Sequence, residues 1–259
     1  DRQLGTGNPA AFDKELSEQI ANARSRHLCV VSVRNFNNVN MLFGRSRGDR
    51  ILQEFARALT AVAPDGKIYR TGGCKFALVF DEVQSGCRQL ASAVENVFSR
   101  LSPEEKNFRI PTDCVFVAFP RFGKRPEDLL LHAEYKLKNQ READREKPMI
   151  FNERDYLMIH RRSLLTSVIR KSIDNNHFQV VYQPIYSVGK NGYFQVEALL
   201  RLHDAELGAV GPEEFIPIAE EQGLIHDLGL YVLKQVCRML AERQEKRLSS
   251  LDVHVNVST

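Results

Sequence analysis

Along the first 150 residues the apolar positions switch between two spacings, short continuous runs and a repeat of three to four. Leu28-Cys-Val-Val-Ser-Val33 is a β-branched run of strand length. After Gly48, residues Ile51, Leu52, Phe55, Leu59 and Val62 recur on one helical face, and Pro64-Asp65-Gly66 stops the helix. Two short strands are predicted at 67–70 and 76–80, separated by Thr71-Gly72-Gly73-Cys74, whose paired glycines supply the positive φ of a tight hairpin. Helical spacing returns at Leu90, Val94, Val97, Phe98 and Leu101. A strand at 114–118, a helix at 126–141 and a strand at 149–151 follow. The order β-α-β-β-α-β, with one added helix and strand, predicts an α/β (α+β) domain on a ferredoxin-like split βαβ sheet over residues 1–153.

The texture then changes. Leu164, Leu165, Val168, Ile169 and Ile173 predict a helix in a connecting segment, 154–177, that opens a second domain at 178–259. A strand at 178–182 and another at 193–201 are joined through Lys190-Asn191-Gly192, and Asn-Gly between apolar runs predicts an antiparallel hairpin. A helical region runs from 213 to 245 with a break near Gly223, and 251–257 is a final strand.

Composition narrows the field. Of 259 residues 43% are hydrophobic and 27% charged, a globular balance, and 36 basic against 33 acidic residues leave only +3. The basic run at 141–147 is interleaved with Glu142, Asp144 and Glu146, so it reads as a solvated helix face and no nucleic acid polymer is expected as partner. Five scattered cysteines without a CxxC pair fit a reducing, cytoplasmic compartment. No apolar run approaches the roughly 20 residues that span a bilayer. The chain starts at Asp1 without a methionine, so excision from a longer parent is expected, one with room for an upstream sensor domain or membrane anchor.

Three segments carry a family resemblance in the first half: Asp1-x-x-x-Gly5-x-x-Asn8-x-x-x-Phe12, the stretch from Ser32 to Asp49, and Gly72-Gly73-Cys74-Lys75-Phe76. They resemble the GGDEF (diguanylate cyclase) family. The resemblance implies carboxylates at the positions of Ser32, Cys74 and Lys75, holding two divalent ions that activate one GTP and neutralise another. A hydroxyl, a soft thiol and an ammonium cannot hold a hard dication, so this domain is expected to be catalytically silent, with no metal. Phe36, Asn40, Asp49 and Lys138 match the family's nucleotide-binding positions, leaving GTP as a candidate ligand. Asn40 and Asp49 have an alternative reading as turn and helix N-cap residues around Gly44 and Gly48. The family's product-inhibition motif RxxD is absent, since the chain has Ala63-Pro64-Asp65-Gly66 there.

The second half resembles the EAL (cyclic-di-GMP phosphodiesterase) family through Gln183-Pro184-Ile185, Glu197-Ala198-Leu199-Leu200-Arg201, Gly211-Pro212-x-x-Phe215-Ile216-Pro217-x-Ala219-Glu220-x-x-Gly223-Leu224-Ile225 and Val255-Asn256-Val257-Ser258. The resemblance implies a TIM-type (β/α)8 barrel with a reversed first strand, which takes roughly 250 residues and is incomplete here. It makes Glu197 and Asn256 metal ligands and places Gln183 and Arg201 against cyclic-di-GMP, with magnesium or manganese expected only in a complete domain. Glu197 stands inside an apolar run, where a charge needs a partner or a metal. Leu202 replaces the family's tryptophan. An open half-barrel exposes strand edges, so a homodimer is expected. The function implied is cyclic-di-GMP signalling: a regulatory first domain, and a second that in the full-length parent hydrolyses cyclic-di-GMP to pGpG. A non-enzymatic interaction scaffold is the alternative, and an active diguanylate cyclase is disfavoured by the lost carboxylates.

Overall fold

A computed structural model describes residues 4–22, 25–101, 110–139, 147–175, 177–189 and 191–256. Two compact units divide it, Asp1–Tyr156 and Leu157–Thr259. In the first, the Leu28–Val33 run becomes β1 (Arg26–Val33), with Leu28, Cys29, Val30 and Val31 all buried. The other strands are β2 (Tyr69–Gly72), β3 (Lys75–Phe80), β4 (Thr112–Phe119) and β5 (Met149–Ile150). Their order is β2-β3-β1-β4-β5, with β1 antiparallel to β3 and β4, and β5 parallel to β4. The first four strands are in the split βαβ arrangement that the apolar pattern predicts.

Helices cover both faces. α1 (Pro9–Ala21) starts where the Asn8 side chain accepts from the Ala11 N–H at 2.9 Å, with Pro9 in its first turn. α2 (Phe36–Phe43) follows β1 directly, and α3 (Arg45–Val62) turns Ile51, Leu52, Phe55, Ala56 and Leu59 into the core before Pro64 prevents its continuation. α4 (Val83–Ser99) packs beside α3, and one core joins Cys29, Val31 and Phe116 of the sheet to Phe55, Leu59, Leu90 and Val97. On the other side α5 (Pro126–Asn139) lies against β4 and β1.

The hairpin differs from expectation by one step. Gly72 pairs with Lys75, so the turn is the dipeptide Gly73-Cys74, and the irregularity between Arg70 and Gly72 absorbs the residue that had been assigned to the loop. Gly73 sits at φ 51°, the left-handed region that glycine enters without strain. Asp1 of the opening motif and the 141–146 part of the charge run lie outside the described residues.

The second unit is built on β6 (Gln179–Ser187), β7 (Gly192–Asp204), β8 (Gly208–Val210) and β9 (Asp252–Val255). β7 is the hub: β6 and β8 pair with it antiparallel and β9 parallel. The predicted hairpin is present, but Ser187 pairs with Gly192, so the loop is residues 188–191 rather than a two-residue Asn-Gly turn. Asn191 takes a positive φ of 49°, and Lys190 lies outside the described residues. α6 (Glu153–Asp174) spans the unit boundary and buries Leu165, Val168 and Ile169 beside Phe178, Leu202 and Phe215. α7 (Pro212–Glu221) and α8 (Ile225–Glu245) are separated at Gly223, φ 70°, which is the break the pattern predicts. Ala198 of β7 packs on Val232 and Val236 of α8. Among the described residues no helix is long and apolar enough to cross a membrane.

Candidate nucleotide and metal sites

The sheet register creates a row of three side chains across the first unit. Ser32 on β1 lies opposite Lys75 on β3 and opposite Asp113 on β4, and directly opposed residues project to the same face. Asp113 is buried, 3% exposed, with Arg34 Nε 3.0 Å from its Oδ2. In the sequence Asp113 is marked by no motif and stands only as an acid at the mouth of the apolar run after Thr112. Lys75 Nζ stands 2.5 Å from Glu134 Oε1 on α5. Both ends of that pair reach solvent, which limits its worth to about 1 kcal/mol or less. Cys74 closes the turn, its carbonyl accepting from the Val33 N–H at 3.1 Å, and burial raises its thiol pKa.

These groups do not fit the pair of divalent ions that the cyclase fold implies. Hard cations take several anionic oxygens. The row offers a hydroxyl, an ammonium and a carboxylate already matched by a guanidinium, with a protonated thiol at the turn. Among the described residues no three histidine, cysteine or acidic side chains gather to hold a metal.

The remaining positions of this half fall on neighbouring elements. Phe36 is buried at the start of α2, and Asn40 lies on the next turn. Both face Gly48 of α3: a Cβ there would come 2.0 Å from Asn40 Oδ1 and 3.3 Å from Phe36 Cε1. Neither Asn40 nor Asp49 is a helix N-cap, because Asn35 precedes α2 and Gly44 precedes α3, while the turn reading holds for Asn40, whose carbonyl accepts from the Gly44 N–H at 3.0 Å. Asp49 is exposed in the second turn of α3. Lys138 is exposed on α5, one turn beyond Glu134.

In the second unit Gln183, Glu197 and His254 form another cross-strand row, on β6, β7 and β9. Asn256, two residues beyond His254, donates through Nδ2 to Glu197 Oε1 at 2.8 Å. Arg201 shares the Glu197 face of β7, about 13 Å further along at 3.3 Å per residue, and its Nη1 donates to the Leu200 carbonyl at 2.9 Å. Val196 and Ala198 are buried on the opposite face while Glu197 is half-buried, so its carboxylate is not sunk among apolar neighbours and its partner is Asn256. Leu202 lies in the core at 2% exposure. His254 was not anticipated, because only the strand register brings it beside Glu197. The oxygens of Glu197 and Asn256 suit magnesium or manganese as two members of a larger ligand set. Val257 and Ser258 lie outside the described residues.

A split βαβ sheet with a Gly73-Cys74 hairpin turn, followed by an antiparallel hairpin that carries a carboxylate, an amide and an arginine on one face, makes a two-module α/β protein. The chain belongs to the GGDEF family, matching the family model "Diguanylate cyclase, GGDEF domain" over residues 5–147, and continues into an EAL domain over residues 167–259. It is 28% identical to the oxygen sensor protein DosP of Escherichia coli K12, across 100% of this chain and 32% of DosP. It is also 28% identical to the cyclic di-GMP phosphodiesterase PdeR of the same organism, across 100% of this chain and 40% of PdeR. The chain thus spans about a third of the length of these relatives. The solved GGDEF domain of DgcB from Caulobacter crescentus, in complex with c-di-GMP, superposes with a TM-score of 0.50 at 24% identity, covering 58% of this chain and 94% of that one. The chain therefore carries a GGDEF domain followed by an EAL domain.

Proposed function

We propose that the GGDEF module of this chain has lost cyclase activity and serves as a guanine-nucleotide-binding regulator of an EAL module that, in the full-length protein, cleaves cyclic-di-GMP to pGpG. The observation that carries the first half is the Lys75–Glu134 ion pair, an ammonium held where cyclase chemistry needs anionic oxygens. Asn40 and Asp49 offer an amide and a carboxylate, which together complement the donor and acceptor edge of guanine. For the second half the support is the Glu197–Asn256 contact, with Gln183 and Arg201 on the same strand face.

Glu197 and Asn256 would hold a divalent ion through oxygen, and such an ion would supply a nucleophilic water at neutral pH and offset phosphodiester charge. Arg201 exchanges its backbone contact for a forked pair of hydrogen bonds to a phosphate, and Gln183 orients the dinucleotide at the neighbouring strand. Product analysis of the full-length protein tests the assignment. Incubation with GTP and magnesium should yield no cyclic-di-GMP, and incubation with cyclic-di-GMP and manganese should yield pGpG at a rate that GTP alters. Cyclic-di-GMP made from GTP would overturn the first part, and absence of pGpG the second.

A further inference from the structure

We propose that the Lys75 ammonium supplies the positive charge that metal ions bring to a cyclase, so that this module takes up GTP without magnesium; this rests on its reading as a guanine-nucleotide site.

The geometry favours a phosphate at this spot. Of the cations near this end of the sheet, Arg34 is committed to the buried Asp113 at 3.0 Å, and Arg70 donates through Nε to the Gly73 carbonyl at 2.8 Å. Lys75 is held differently. Its partner Glu134 lies on α5 and the two side chains are 38% and 53% exposed, so water and solutes reach both. A surface carboxylate is a single charge on a flexible stem, and exchanging it for a triphosphate trades one charge for several and two acceptor oxygens for many. Lys138 lies four residues beyond Glu134, on the same face of the helix and about 6 Å along its axis. A phosphate that displaces Glu134 from Lys75 therefore meets a second ammonium.

The same row explains why a metal adds nothing. Ser32, between Lys75 and Asp113, is a neutral ligand, and Asp113 is already neutralised. A dication brought in on the nucleotide would meet one carboxylate in the row, already paired with Arg34 and short of the several anionic oxygens a hard cation takes, and it would compete with Lys75 for the phosphate oxygens. Magnesium should therefore weaken binding or leave it unchanged, the reverse of the usual dependence. Glu134 is the competitor for Lys75. Removing its charge should tighten binding, whereas removing the ammonium should weaken it. A role confined to holding α5 against the hairpin predicts equal effects from breaking the pair at either end.

Isothermal titration of GTP into the full 259-residue chain, once with EDTA and once with magnesium, reads this directly. Saturable binding is expected in EDTA, no weaker than in magnesium. Lys75→Met should weaken it about tenfold, the scale of one hydrogen bond to a charged group, and Glu134→Gln should strengthen it several-fold. Thermal melting shows that both surface variants are folded. Binding that needs magnesium, or that is unchanged in Lys75→Met, overturns the proposal and leaves the nucleotide-binding reading intact. No binding in either buffer removes both.

Discussion

Gly48 on α3 and the amide of Asn40 on α2 approach so closely that a Cβ at position 48 would lie 2.0 Å from Asn40 Oδ1. The clashing atom is the end of a rotatable side chain, so the helices need not part; the amide turns away instead. Gly48→Ala should therefore cost little stability, since alanine also gains about 1 kcal/mol of helix propensity over glycine. Its effect should fall on the amide's aim. GTP affinity is expected to drop about tenfold with an unchanged melting temperature, without removal of any ligand group. A variant that binds GTP like the parent would detach Asn40 from nucleotide recognition.

Glu197 and Asn256 can be separated by charge. Glu197→Gln keeps the shape and the hydrogen-bonding capacity of the pair while removing its one anionic oxygen donor. In the full-length protein it should reduce hydrolysis of cyclic-di-GMP by about 100-fold or more, because a neutral amide binds a hard cation poorly. Asn256→Ala leaves the carboxylate and should lower apparent manganese affinity by about 10- to 100-fold, with turnover recovered at high metal. Chromatography of pGpG across a manganese titration measures both. Full activity of Glu197→Gln would remove the metal role.

The strands were the most legible part of the chain. The Leu28–Val33 and Phe76–Phe80 runs lie in buried strands, which are written as apolar runs, and residues 179–182 and 193–201 lie in strands as well. α2 left no comparable trace: eight residues with three asparagines bury only Phe36 and Val39. Chain order gave Ser32 and Lys75 as separate losses, and only the register shows them as neighbours in a row completed by Asp113. The same holds for His254 beside Glu197. Side chains that meet across strands are invisible to spacing along one strand, whereas motif residues such as Gln183 and Arg201 are named by local order alone.

Gly86 tests the packing of α4. A Cβ there would lie 2.8 Å from Phe116 Cε1 and 3.0 Å from Phe80 Cγ, and both rings are fully buried with centroids 5.9 Å apart. Rings enclosed in this way have no room to retreat. Overpacking of this kind costs about 1–3 kcal/mol, which outweighs the helix-propensity gain of about 1 kcal/mol. Gly86→Ala should lower the urea midpoint of the first unit, and a raised midpoint would contradict the contact.

The cysteines predict how stability changes in alkali. Burial pushes the Cys114 thiol from its ordinary 9.0 up to about 12, with Cys87 and Asp113 adding to the shift, and burial drives Cys29 well above the same value. Cys114 lies opposite Val31, two positions from Cys29, so the two thiols share the sheet face beneath α4. Between pH 9 and 12 the unfolded chain gives up protons that the folded chain retains. Rising pH therefore favours unfolding, and the stability held below pH 9 is lost across that window. Urea midpoints should fall from pH 9 upward, and less steeply in Cys114→Ala, a comparison that cancels the contribution of lysines and tyrosines titrating in the same range. Reactivity should follow, since the thiolate is the nucleophile. At pH 8 iodoacetamide should label the exposed Cys237 while Cys29 and Cys114 react only after denaturation. Mass spectrometry of the peptides resolves the order, and native labelling of Cys114 as fast as Cys237 would show that its thiol is not held in the protonated state.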